Sequence, residues 1–78
     1  MNTHEHAEAR FAVCIRNGEH PASLELRKLY QVLPDSGAAT LGQVRVIDES
    51  GEDYLYPAAD FLFVDLPHAV EIALLKAS

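Results

Sequence analysis

Apolar and polar residues alternate over residues 11–16, where Phe11, Val13 and Ile15 oppose Ala12, Cys14 and Arg16. That period of two predicts a first strand, ended by the Asn17-Gly18 turn pair and a loop through His20-Pro21-Ala22-Ser23. Leu24, Leu26, Tyr30 and Val32 share one parity, so residues 24–33 read as a strand pair or one long bent strand. The alternation fails at Arg27-Lys28, which places a bulge or sharp turn there. Pro34-Asp35-Ser36-Gly37 is a turn by composition, and residues 38–42 form a loop of small side chains. Residues 44–47 and 54–56 flank an acidic turn and make the clearest hairpin in the chain. Gly51 supplies the positive φ that a type I turn with a glycine bulge needs. Pro57-Ala58-Ala59-Asp60 predicts one tight helical turn, and Phe61–Val64 a further short strand.

The pattern then changes period. Asp65-Leu66-Pro67 carries a cap-type side chain and a proline at a helix start. Residues 68–77 lack glycine and proline, and Val70, Ala73, Leu74 and Ala77 fall on one helical face. A helix of about three turns is not stable alone in water. Its apolar stripe is therefore expected to dock on the β body or on a second copy of the chain.

Length and charge narrow the function. The 78 residues make one domain, whose core should supply only ~3–5 kcal/mol of net stability. Dimerisation would be a natural supplement. An apolar fraction of 49% excludes global disorder. The net charge of -6, from twelve acidic and six basic residues, repels phosphate backbones and anionic lipid, arguing against nucleic acid and membrane as partners. Cys14 is the single cysteine, so no intrachain disulfide forms, and it is expected to be a small half-buried hydrophobe. The polar, acidic N-terminus has no signal-type apolar stretch and no run reaches membrane-spanning length, so a cytoplasmic location is expected.

The order Leu24-Glu25-Leu26-Arg27-Lys28, Tyr30-Gln31-Val32-Leu33, the hairpin, and Tyr56-Pro57-Ala58-Ala59-Asp60-Phe61 resembles the Src homology 3-like (SH3-like) barrel. The resemblance implies a mainly β fold: a five-stranded barrel with a short C-terminal α-helix. Pro57 would stand at the family's corner proline and Phe61 at its tyrosine. Residues 1–8 would then be a flexible tail, 9–66 the barrel and 67–78 the helix. Residues 12–75 also resemble short uncharacterised bacterial proteins sharing the Glu49-Ser50-Gly51-Glu52-Asp53-Tyr54-Leu55-Tyr56-Pro57 run, a likeness that brings no activity with it. Peptide-binding barrels of the SH3 type use a tryptophan and a tyrosine-rich first strand. This chain has no tryptophan, its first strand reads Phe11-Ala12-Val13-Cys14-Ile15, its Arg27-Lys28 turn lacks the family's glycine, and Phe61 lacks a hydroxyl. The resemblance therefore implies the fold without a polyproline ligand.

The candidate binding surface is Tyr30, Tyr54, Tyr56, Pro57 and Phe61. Tyr54 and Tyr56 share a strand face and Leu55 takes the other. The two tyrosines are thus either an external aromatic strip or core, and a mixed arrangement with Tyr56 partly exposed beside Pro57 is favoured. His4-Glu5-His6, with His20 and Cys14 as further ligands, does not amount to a metal site, because two of the ligands sit on the tail. Asp48, Glu49, Glu52 and Asp53 are too closely spaced for a calcium loop and read as a solvated turn, or as a contact for a basic partner. His68 and Glu71 can pair on the helix, but Ser23, Ser36 and Ser50 lack histidine–carboxylate support. A body this small is also expected to lack a pocket of ~300–1,000 Å³. The expected function is a non-catalytic, cofactor-free module that binds a protein partner or a second copy of itself. A nucleic-acid-associated barrel is the competing reading, and it requires Arg16, Arg27, Lys28 and Arg45 to converge on one face.

Overall fold

The structure, a computed structural model, describes residues 10–77. The tail assigned to residues 1–8, with His4, Glu5 and His6, lies outside them. Among the described residues the chain forms strands β1 (Phe11–Cys14), β2 (Leu29–Leu33), β3 (Gln43–Ile47), β4 (Asp53–Pro57) and β5 (Phe61–Val64). Helix α1 (Ser36–Thr40) lies between β2 and β3, a single 3-10 turn (Ala58–Asp60) between β4 and β5, and helix α2 (His68–Lys76) closes the chain. The strands make one antiparallel sheet in the order β4-β3-β2-β1-β5. The fold is thus mainly β, a five-stranded antiparallel sheet with a short C-terminal helix. No ladder joins β4 to β5 among the described residues, so the sheet is not closed into a barrel.

Register explains the core. The cross-strand partners Ala12↔Tyr30, Cys14↔Phe61, Val32↔Val46 and Val44↔Tyr56 put eight side chains on one face, and all are buried. Strand β2 is shared: Leu29, Tyr30 and Gln31 pair with β1, while Val32 and Leu33 pair with β3. Cys14 is fully buried rather than half-buried, and burial pushes its thiol pKa up.

The hairpin, the turn after Pro57 and β5 lie where the pattern put them. Gly51 has φ +86, and its N–H donates to the Asp48 carbonyl at 2.9 Å. Other elements differ. The first strand stops at Cys14 because the Ile15 and Arg16 amides turn to the Asp60 carbonyl, at 2.8 and 3.3 Å. Residues 24–28 are loop rather than strand, and Arg27 takes the left-handed conformation, φ 66, at the break in alternation. Leu24 is nonetheless 1% exposed: its N–H donates to the His20 carbonyl, and its carbonyl accepts from Asn17 Nδ2, both at 3.0 Å. Residues 36–40, expected as turn and loop, are helical because Asp35 caps them, its Oδ1 accepting from Ala38 N–H at 2.9 Å.

The largest departure is α2. It buries none of its residues, and Val70 and Leu74 are 42% and 36% exposed. Glu71, Ile72 and Leu75 are the half-buried positions, so the stripe expected to dock on the β body or on a second copy is not the face turned to the β body.

Candidate functional site

Three residues of the candidate surface are core. Tyr30, Tyr56 and Phe61 are 4, 5 and 4% exposed, and Phe61 meets Tyr30 edge-on and Tyr56 at a tilt. The Tyr30 hydroxyl donates to Glu49 Oε2 and accepts from Glu25 N–H, both at 2.6 Å. Burial, reinforced by Glu49, pushes the Tyr30 pKa up. Tyr54 and Pro57 are the two that remain exposed. The favoured mixed arrangement is therefore inverted: Tyr56 is inside and Tyr54, at 50%, is outside. Both tyrosines share the inner face, but the β1–β2 loop covers only Tyr56, through the edge of the His20 ring at 5.1 Å. Tyr54 sits one step nearer the hairpin tip, its hydroxyl on Glu52 Oε1 at 3.1 Å.

Between that loop and the hairpin runs a groove of about 400 Å³, bounded by His20 and Ser23 on one side and Ser50, Tyr54, Leu55 and Tyr56 on the other. Asp48 forms its floor and is 6% exposed. Its Oδ2 accepts from the Tyr56 hydroxyl at 2.6 Å, and its Oδ1 accepts from the Ser50 N–H and hydroxyl at 2.9 and 2.6 Å. Burial works to raise the Asp48 pKa. The donors from Ser50 and Tyr56 outweigh it and hold the carboxyl below its ordinary range. The groove thus gathers a histidine, two serines and an aspartate without the connectivity of a triad, because both Asp48 oxygens are taken by Ser50 and Tyr56. His20 and Ser23, weighed in the sequence only as a metal ligand and a nucleophile, were not placed on the binding surface because they lie in a loop without periodicity. The hydrogen bond from Glu49 N–H to the Ser23 carbonyl, 3.0 Å, brings that loop to the hairpin tip.

A second depression, about 470 Å³, lies between α1, β2, β3 and β5, with Val32, Val44, Phe63, Pro34 and Ala39 among its walls. A pocket of this size was not expected in so small a body. The open sheet and the small residues of α1 leave the space. Beside it Arg45 is held by two carboxylates, Asp35 on Nε at 2.8 Å and Asp53 on Nη1 at 2.9 Å. These bonds raise the Arg45 pKa, while the Ala38 N–H and then Arg45 lower that of Asp35.

Of the four cations that a nucleic-acid surface would need, three are spent on carboxylates. Arg16 pairs with Asp60 at 3.4 Å, Lys28 with Glu49 at 2.6 Å and Glu25 at 3.8 Å, and Arg45 with Asp35 and Asp53. Among the described residues no group of three or more histidine, cysteine, aspartate or glutamate side chains gathers to hold a metal, and no helix is long and apolar enough to cross a membrane.

Comparison with protein families, with curated proteins and with solved structures finds no match to this chain.

Proposed function

We propose that this chain is a non-catalytic protein-interaction module built on a partly open SH3-like barrel, and that its groove beside the hairpin binds a basic, extended segment of a partner. The barrel reading is supported by the strand order β4-β3-β2-β1-β5, by the sharing of β2 between two ladders, and by the 3-10 turn between β4 and β5. The binding reading rests on one observation: the half-exposed ring of Tyr54 lines a groove with the Asp48 carboxylate at its floor, and the Glu52 carboxylate sits on the Tyr54 hydroxyl at 3.1 Å. Glu49 and Asp53 flank it along the hairpin, where Lys28 and Arg45 offset their charge. A tyrosine face beside carboxylates suits the apolar stem and charged head of lysine or arginine. The internal pairing of Arg16, Lys28 and Arg45 counts against the nucleic-acid reading, which needs those three together with Arg27 on one face. Self-association belongs to the same proposal, through the outward stripe of α2, in a cytoplasmic setting.

The test is fluorescence anisotropy with a labelled lysine- and arginine-rich peptide, its glutamate-substituted counterpart and a single-stranded oligonucleotide. The basic peptide should bind, weaken as salt is raised, and lose affinity on Tyr54→Ala; the other two should not bind. Equal binding of the acidic peptide or the oligonucleotide, or indifference to Tyr54→Ala, would overturn the reading.

A further inference from the structure

We propose that the depression between α1, β2, β3 and β5 is a second, separate site, which takes a small uncharged molecule with a compact apolar body and an amide or carbonyl group. Its volume, about 470 Å³, falls within the ~300–1,000 Å³ usual for small-molecule sites. Val32 and Val44 belong to the core and Phe63 packs against it, while Leu33, Gln43 and Arg45 alternate with them, so the depression reaches from the core to the other face of the sheet at the α1 end of β2 and β3. Pro34, Ala39 and Phe63 complete an apolar wall.

The polar groups at this wall define the head of the ligand. Arg45 lines the site, but Asp35 and Asp53 fix its Nε and Nη1, so one cation stands against two carboxylates. An anionic head is repelled there. A cationic head meets carboxylates already engaged by a guanidinium and would have to displace it. Ser36 and Gln43 also line the site, and neither the Ser36 hydroxyl nor the Gln43 side-chain amide has a hydrogen-bond partner among the described residues. Gln43 offers both a donor and an acceptor, as does a neutral amide, and the pair can bond reciprocally. Ser36 adds a hydroxyl that serves either role. Apolar walls select the body, and the balance of charge selects a neutral head.

Titrating the isotope-labelled full chain with 3-phenylpropanamide and, separately, with 3-phenylpropanoate tests this by amide chemical shifts. The neutral amide should give saturable shifts centred on Ser36, Ala39, Gln43 and Arg45, and the carboxylate should bind at least about tenfold more weakly. Ala39 is exposed on α1, so Ala39→Phe fills the depression from its rim and should abolish binding of the amide. Gln43→Ala should weaken the amide severalfold and leave Tyr54 and the hairpin groove unmoved. The proposal is overturned if the amide produces no saturable shift, if amide and carboxylate bind alike, or if folded Ala39→Phe binds as the parent does. Should Ala39→Phe fail to fold, unchanged binding by Gln43→Ala overturns the polar half of the site, and with it the proposal.

Discussion

Replacing Tyr56 with phenylalanine removes one oxygen and keeps the ring against His20 and Phe61. The lost hydroxyl donates to Asp48 Oδ2 at 2.6 Å, in a place where Asp48 is 6% exposed. Oδ1 keeps both Ser50 donors, so the carboxylate loses part of its support rather than all of it. A hydrogen bond to a charged group contributes ~1.5–3 kcal/mol net, and the surviving donors favour the lower half of that range. In a domain holding ~3–5 kcal/mol in all, a loss of about 2 kcal/mol removes close to half the stability. At ~4–8 °C per kcal/mol for a domain of this size, the melting temperature should fall by roughly 10 °C.

The same substitution carries a pH signature. The folded structure depresses the Asp48 pKa, so its contribution is fully present above the unfolded value of ~3.9 and is lost as pH falls through the folded value. Urea unfolding of parent and variant, stepped from neutral pH downward, should therefore show the full difference near pH 7 and a shrinking one below about pH 4. A cost under ~0.5 kcal/mol at neutral pH, or a cost that stays constant far into acid, would refute the assignment of Asp48 as the ionised anchor of the hairpin.

Four further outcomes follow from the backbone, the core and α2. Gly51→Ala should cost ~1–2 kcal/mol by thermal melting, purely through φ +86, because an added Cβ meets nothing within 4 Å. Arg27→Gly should raise stability by ~0.5–1 kcal/mol by relieving a left-handed arginine on an exposed loop, and a loss would show that the arginine side chain holds the loop. Leu24→Ala should cost ~2–5 kcal/mol and Leu74→Ala about 1 kcal/mol or less in dilute solution, since Leu24 is 1% and Leu74 36% exposed. A larger loss at Leu74 that grows with protein concentration would mark a second copy covering α2.

Much of the sheet is legible because its signals are local. The β3–β4 hairpin needs only a period of two on either side of Gly51, and Pro57, at φ -59, starts the corner that its ring presets. Leu24 shows where this logic stops. Its parity matches Tyr30 and Val32, yet a loop carries it into the core, tied to Asn17 and His20, and alternation cannot tell such a residue from one in a strand. Helix α1 is too short to show a period of 3.6, and its signal is the single capping carboxylate of Asp35. The binding face was half legible for a similar reason. Parity correctly puts Tyr54 and Tyr56 on one side of β4, but their different burial is decided by His20, which comes from a loop remote in sequence.

Helix α2 failed in a more instructive way. Val70, Ala73, Leu74 and Ala77 do form a stripe, but Ile72 and Leu75 lie on the opposite side and are apolar too. A segment apolar on both sides has no unique inward face, so periodicity alone cannot choose between them. The structure turns Ile72 and Leu75 partly toward the rest of the chain and leaves Val70 and Leu74 the more exposed. A nine-residue helix gains little from its own hydrogen bonds, so its order depends on side-chain contacts, and here no helix residue is fully buried. The stripe carries no charge, its alanines permit close approach, and a two-fold axis would set it against itself without opposing like charges. Those features make a second copy the occupant we propose for it. They also explain why the concentration dependence at Leu74, rather than the size of its loss, is the decisive reading.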